Sequence, residues 1–246
     1  MLPTPPELAA DTRPVFVFER LAAIFEIILC SGFPTQLLLI GVLRGFGMTM
    51  LLPEGGFNPT FLFTVSMLDA LLVIGLVWLL LRAHRESVRD VLIGRVRLLK
   101  EALVGLALIP LVFFVVVLIL GMILVFAPQL HNVPRNPLED MLRTNADAAI
   151  FAVVVMFAGG VREEVQRGFI VHRFGQYLGG GLFGVLFYSV LFGLGHFEQG
   201  YDATLATAAL GAIWGLVYLR RGSIVAPVIS HAGFNLAQVV KFLALR

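Results

Sequence analysis

Three charged side chains stand in what the apolar pattern predicts to be a membrane helix. Glu163, Glu164 and Arg167 follow the apolar run 148–158, AAIFAVVVMFA. An ionisable residue in a membrane span costs roughly 2.5 to 3.5 kcal/mol on insertion scales, so such residues tend to be paired and functional. At about 100° per residue, spacings of four and three allow either glutamate to pair with Arg167. The pattern predicts a carboxylate held beside an arginine.

Two later apolar segments each contribute an imidazole. His196 shares a predicted helix face with Phe192, and His231 shares one with Asn235. A carboxylate beside an imidazole can deprotonate a water molecule. A second imidazole with a neighbouring amide can donate hydrogen bonds to the oxyanion of a tetrahedral intermediate. This set of side chains suits hydrolysis of a peptide bond inside a membrane cavity.

Other chemistries have weaker support in the sequence. No GxSxG motif is present and Cys30 is the single cysteine, so a covalent nucleophile is not expected. Glu163, His196 and His231 are the residues that could hold zinc with one position open. HExxH is absent, however, and the two histidines lie on different predicted helices. We therefore predict that no cofactor is required, with zinc as the open alternative.

The composition is that of an integral membrane protein. Of the 246 residues, 59% are hydrophobic and 14% are charged, whereas a soluble domain carries about 25% charged residues. Lys and Arg number 18 against 16 Asp and Glu, an excess too small to indicate nucleic-acid binding. The protein is thus predicted to lie in a lipid bilayer, and no nucleic-acid partner is expected.

The predicted fold is all-α, a polytopic bundle of about seven to eight transmembrane helices. Residues 1–147 form N-terminal spans with a basic amphipathic surface helix at about 82–100, and residues 148–246 form the region that carries the site. Spans are predicted at about 21–43, 60–81, 103–127, 148–172, 181–198, 203–219 and 223–242.

The basic residues predict an orientation, since Lys and Arg concentrate on the cytoplasmic side of membrane proteins. With residues 82–100 inside, the N-terminus is also cytoplasmic and seven spans put the C-terminus outside. The first residues lack the basic region and apolar core of a signal peptide. We expect a retained N-terminal tail and a multi-pass protein of the cell membrane, plasma or inner.

Two further acids stand in the first predicted spans. Glu26 and Asp69 have no nearby partner group along the sequence. For both, we favour an ordinary role, either an interhelical hydrogen bond or a neutralised acid.

The motifs resemble those of a known family, the CAAX prenyl protease 2-like intramembrane proteases, also called the CAAX protease and bacteriocin-processing (CPBP, Abi) family. Its motifs EExxxR, FxxxH and HxxxN occur in that order on successive membrane helices. FGLGH at 192–196 and HAGFN at 231–235 meet the second and third motifs, and Glu163-Glu164 followed by Arg167-Gly168-Phe169 resembles the first.

The resemblance covers roughly residues 148–240 and implies a role for each motif residue. A glutamate of the 163/164 pair and His196 would activate the water. His231 and Asn235 would form the oxyanion site. Arg167 would orient a carboxylate as its ion-pair partner.

The first motif departs from the family pattern in its spacing. Two residues rather than three separate Glu164 from Arg167. Aligning on Arg167 puts Arg162 at the first glutamate position, whereas aligning on the glutamates displaces the arginine by about 100° around the helix. A one-residue deletion in a helix usually needs a π-bulge or similar defect, which favours the first alignment and Glu163 as the catalytic carboxylate.

Three functions are consistent with these observations. The leading hypothesis is an endopeptidase that hydrolyses membrane-associated or lipid-modified proteins or peptides with glutamate- and histidine-activated water. The alternative is a non-catalytic family member, a scaffold or an immunity-type binding partner, which Arg162 at the first glutamate position would suit. An ion-coupled carrier is the third, because proton-relay residues look similar, although no inverted repeat is evident.

Overall fold

The computed structural model describes residues 15–134, 136–142 and 144–244. Within them the chain is helical, and its only β pairing is an isolated bridge between Leu51 and Phe57. The all-α prediction is confirmed, while the predicted N-terminal tail lies mostly outside the described residues. The main helices are α1 (Val17–Leu29), α2 (Phe33–Gly45), α3 (Pro59–Ala83), α4 (Leu98–Phe126), α5 (Asn145–Val154), α6 (Glu163–Tyr177), α7 (Gly181–Leu194), α8 (Tyr201–Arg221) and α9 (Val225–Ala244).

In the described part of the chain, three helices, α3, α4 and α8, are long and apolar enough to cross a membrane. The pair α1 and α2, bent by 42° at its break, makes a fourth if it counts as one span. The chain is a helical membrane bundle, as predicted, but length and composition support three or four spans rather than seven or eight. α7 is apolar but only 14 residues long, and α6 and α9 carry the polar residues of the site.

The predicted amphipathic helix at 82–100 does not form as one helix. α3 ends at Ala83, a short π turn covers Arg89–Ile93, and α4 begins at Leu98. Arg85 and Gly94 have positive φ angles of 57° and 71°, which interrupt a right-handed helix on either side of the turn. Contacts with the bundle hold the segment in this shape, because Ile224 donates a backbone hydrogen bond to the Leu92 carbonyl at 2.8 Å.

The predicted span at 148–172 is helical, and its middle section is a π-helix, whose turns are wider than those of an α-helix. Between α5 and α6 the chain forms a π-helix over Val155–Arg162, all in right-handed helical continuity. Gly159 and Gly160 let α9 approach this section closely: a Cβ on Gly160 would lie 2.6 Å from the Cβ of Ala232. π-Helical turns are frequent at functional sites, and this one ends immediately before Glu163.

Candidate active site

A cavity of about 1080 Å³ lies among α3, α5, the π-helix, the end of α7, α8 and α9. Four of the predicted site residues line it: Glu163, His196, His231 and Asn235. Three separate elements contribute these side chains, namely α6, the turn after α7 and α9, so the tertiary fold brings together what the sequence places up to 72 residues apart. Glu163 and His196 also line a second, smaller cavity of about 160 Å³ beside the break between α1 and α2.

Glu164 does not line this cavity. Its carboxylate is 1% exposed and accepts hydrogen bonds from Arg167, three residues later on α6, and from His231. Arg167 is equally buried. A buried carboxylate with a guanidinium and an imidazole as partners is a fixed group, which leaves Glu163 as the member of the pair that faces the cavity.

His231 lies close to both glutamates, with one ring nitrogen towards each. Its Nδ1 lies 2.8 Å from Oε1 of Glu164, and its Nε2 lies 3.7 Å from Oε2 of Glu163. Donation from Nδ1–H to the Glu164 carboxylate fixes the tautomer in which Nε2 is the free ring nitrogen. His231 therefore presents a proton-accepting nitrogen towards Glu163 and the cavity.

Trp214 holds the imidazole of His231 in place, a role that the sequence did not reveal. The two rings stack with centroids 3.9 Å apart and an interplanar angle of 16°. The indole Nε1–H donates to the Ser230 hydroxyl at 3.1 Å, which fixes the tryptophan in turn. An apolar residue in an apolar helix gives no local signal of such a contact, so only the fold identifies it.

Aromatic rings surround the guanidinium of Arg167. It lies 4.7 Å from the ring centre of Phe192, 5.5 Å from that of Trp214 and 5.6 Å from that of Tyr188. Cation–π attraction stabilises a desolvated guanidinium. Phe192, the first residue of the FGLGH sequence, thus packs on the arginine of the first motif and places the two motifs against each other.

His196 lies beyond the end of α7 rather than in the helix predicted to run to residue 198. α7 ends at Leu194, and His196 occupies the following turn. Its Nδ1 lies 2.8 Å from the Phe192 carbonyl oxygen. This carbonyl is in the last turn of α7, where the carbonyl groups have no hydrogen-bond partner within the helix. Donation from Nδ1–H leaves Nε2 available, and His196 makes no direct hydrogen bond with Glu163.

The side-chain amide of Asn235 crosses from α9 to the π-helix. Its Nδ2 donates to the Val155 carbonyl oxygen at 3.1 Å. A Cβ on Gly159 would lie 2.5 Å from that nitrogen, so the absence of a side chain there makes the approach possible. One of the two amide hydrogens is used in this bond, and the second is available at the cavity wall.

Glu26 and Asp69, for which the sequence favoured an interhelical hydrogen bond or a neutralised acid, are both paired across the bundle. Asp69 on α3 accepts from Arg162 and from Thr35. Glu26 on α1 accepts from Arg173 at 2.6 Å and contacts His84 at 2.6 Å. The arginine partners are far away in sequence, 93 residues from Asp69 and 147 from Glu26. Arg162, which also lines the cavity, is thereby held next to Glu163 without being bonded to it.

The described residues give no support to a preformed metal centre. Among them, no group of three or more His, Cys, Asp or Glu side chains is arranged to hold a metal ion. Zinc binding by Glu163, His196 and His231 stays an untested prediction.

One comparison with known proteins identifies the region that contains the site. Residues 145–237 match the family described as Type II CAAX prenyl endopeptidase Rce1-like. The match spans α5, the π-helix and most of the chain that follows, including all six predicted site residues. The family resemblance drawn from the motifs is confirmed over this region. Neither the curated proteins nor the solved structures that were searched gave a match.

Proposed function

We propose that this protein, which matches the Type II CAAX prenyl endopeptidase family over residues 145–237, is an intramembrane endopeptidase with Glu163 as its general base. The observation that carries the proposal is the position of Glu163. It is the glutamate that lines the cavity, and Nε2 of His231 lies 3.7 Å from its carboxylate. The substrate class is a membrane-associated or lipid-modified protein or peptide.

The proposed reaction begins with a water molecule held by Glu163 and by Nε2 of His196. Glu163 takes a proton from the water, and the hydroxide attacks the carbonyl carbon of the scissile peptide bond. The second amide hydrogen of Asn235 donates to the oxyanion that forms. The C–N bond then breaks as a proton reaches the leaving nitrogen, which yields a carboxylate and an amine.

His231 is the proposed proton carrier between these two steps. Its Nε2 lies close enough to Glu163 to receive the proton after a small side-chain movement. The imidazolium that results is stabilised by Glu164, whose carboxylate accepts from Nδ1–H. Once protonated, His231 can donate to the oxyanion and then deliver the proton to the leaving amine.

Purified protein in detergent, incubated with membrane-anchored peptides with and without a prenyl group, tests the proposal. Cleavage detected by mass spectrometry is expected for wild type and is expected to be lost in Glu163→Gln. Metal analysis of the same preparation decides the zinc alternative: activity without stoichiometric metal, unchanged by chelators, is the expected result. A variant that retains the cellular phenotype without cleaving any substrate would favour the scaffold alternative.

A further inference from the structure

Residues 82–100 connect α3 to α4 and are rich in basic side chains, and we name them the basic segment. Its six basic residues are all exposed: Arg82, Arg85, Arg89, Arg95, Arg97 and Lys100. Three exposed apolar side chains occur among them, those of Ile93, Leu98 and Leu99. The basic segment therefore offers cationic and apolar groups together.

The fold holds the basic segment in a fixed shape against the bundle. Leu92 is buried, and its carbonyl accepts the backbone N–H of Ile224 at 2.8 Å. A Cβ on Gly94, whose φ angle is 71°, would clash with the Gly222 carbonyl oxygen. This close approach places the last turn of α8, with the exposed Arg220, beside the basic segment. Tertiary packing thus adds a seventh cation to the six that are close in sequence.

The acids of this region leave these cations largely uncompensated. Residues 82–101 contain three acids, and two of them, Glu86 and Glu101, are bonded to arginines of α6 and α8 at 2.6 Å and 2.5 Å. The third, Asp90, lies 3.7 Å from Arg95, and the two side chains are 54% and 92% exposed. An ion pair as exposed as this one contributes little. The surface therefore keeps a positive charge that its own acids do not offset.

The position of the basic segment favours a lipid over a soluble partner. It joins the ends of α3 and α4, two helices that are long and apolar enough to cross a membrane. Trp78, which is 50% exposed, lies near the end of α3, with the Arg82 guanidinium 5.8 Å from its ring centre. Tryptophan is enriched at the membrane–water interface. The basic segment therefore lies at the level of the lipid headgroups.

We propose that the basic segment and Arg220 form a binding site for the phosphate groups of anionic phospholipids in the surrounding membrane. Clusters of about four to eight Lys and Arg residues beside a transmembrane helix attract anionic lipids, and the guanidinium group can donate two parallel hydrogen bonds to a phosphate. Leu98 and Leu99 contact the acyl chains below the headgroups. The site is separate from the cavity that Glu163 lines, so lipid binding does not depend on peptidase activity.

Thermal unfolding in a neutral detergent tests this site on the wild-type protein. Phosphatidylglycerol or phosphatidylcholine with the same acyl chains is added at equal concentration. We expect the unfolding temperature to be at least about 2 °C higher with phosphatidylglycerol. High salt should reduce this difference because it screens exposed charges. Equal unfolding temperatures in the two lipids, or a difference that salt does not reduce, would overturn the proposal.

A triple variant and a matched control locate the lipid site. Three charges of the basic segment are removed in Arg89→Gln/Arg95→Gln/Arg97→Gln, and we expect this protein to lose more than half of the difference between the two lipids. The control removes three exposed charges elsewhere, Arg20→Gln/Arg44→Gln/Lys241→Gln, and should keep that difference. An equal loss in both variants would assign the effect to net charge and overturn the site. If the triple variant does not fold, the lipid and salt comparisons on wild type still decide.

Two soluble anions distinguish the membrane lipid from other ligands of a basic surface. Inorganic phosphate and polyglutamate are added to the wild type in place of the lipid. We expect both to raise the unfolding temperature by less than half as much as phosphatidylglycerol, because neither has acyl chains to contact Leu98 and Leu99. An equal effect of inorganic phosphate would assign the surface to a free anion, and an equal effect of polyglutamate would assign it to an acidic polypeptide. Either result overturns the proposal.

Discussion

Nδ1 of His231 lies 2.8 Å from Oε1 of Glu164, a carboxylate that Arg167 of the same helix also contacts. The two adjacent glutamates thus have different tasks. Glu164 is enclosed and fixes the imidazole, whereas Glu163 is at the cavity wall.

Replacing Glu164 is expected to damage folding before it damages chemistry. Glu164→Gln leaves the buried Arg167 guanidinium without its anion, and breaking a buried ion pair in this way costs about 3–5 kcal/mol. We expect a large loss of thermal stability in detergent, measured by a fluorescence-based unfolding assay. The double variant Glu164→Gln/Arg167→Leu removes both charges and should recover part of that stability. A Glu164→Gln protein as stable as wild type would contradict the assignment.

Asp69 is expected to keep Arg162 away from Glu163, the proposed catalytic carboxylate. Asp69→Asn frees the guanidinium of Arg162, which is adjacent in sequence to Glu163 and lines the same cavity. A guanidinium paired with Glu163 would weaken it as a base, so we expect peptidase activity to fall by about tenfold, which corresponds to about 1.4 kcal/mol in the activation barrier.

The matched control for this prediction is Asp69→Asn/Arg162→Gln, which removes both partners. Activity that returns towards wild type in the double variant supports the account. Equal activity in the wild type and in the single variant contradicts it.

Asn235 is expected to contribute to both stability and rate. Asn235→Ala removes the part-buried hydrogen bond to the Val155 carbonyl of the π-helix, and a typical hydrogen bond contributes about 0.5–1.5 kcal/mol to stability. It also removes the proposed oxyanion donor, worth about 10²–10³ in kcat. Unfolding temperature and kcat are measured on the same preparation. A loss of less than tenfold in kcat would contradict Asn235 as the oxyanion donor and leave it only the structural role.

The ion network around Glu86 predicts a dependence of stability on pH. Burial raises the pKa of the Glu86 carboxyl, but hydrogen bonds from His172, Arg173 and Gln176 and the charge of Arg173 outweigh it and lower the pKa from 4.5 to about 2. A carboxyl with a lowered pKa in the folded state stabilises the protein above its unfolded pKa of about 4.5. That contribution is lost as the pH falls towards about 2.

The measurement compares wild type with Glu86→Gln in thermal unfolding between pH 7 and pH 3. The stability difference between the two proteins should be largest above pH 4.5 and shrink as the pH falls below it. Glu198→Gln, which replaces an exposed carboxylate in the turn after α7, serves as the control. A stability difference between wild type and Glu86→Gln that grows as the pH falls would contradict this role of Glu86.

Long apolar runs allowed the sequence to predict the main helices closely. The spans expected at 60–81, 103–127 and 203–219 correspond to α3, α4 and α8, each within five residues at either end. In these segments hydrophobicity alone determines which residues are helical and roughly where they end, because charged or loop-forming residues follow directly.

The interactions that assemble the site depend on tertiary contacts that periodicity cannot report. The partners of Glu26 and Asp69 lie on other helices far along the chain. Helical spacing placed Glu163 and Glu164 on the Arg167 face but could not decide which one the surrounding helices would enclose. The stack of Trp214 on His231 and the position of His196 beyond its helix likewise follow from packing.

The most direct measurement of the central claim is the rate of peptide cleavage by purified Glu163→Gln protein. Removing a general base typically costs 10²–10⁴-fold in rate, so we expect kcat to fall by at least a hundredfold while the unfolding temperature stays near that of wild type. Gln238→Ala, on the same cavity wall, should cleave within a few-fold of wild type. A folded Glu163→Gln protein that cleaves within tenfold of wild type would contradict the claim that Glu163 activates the water.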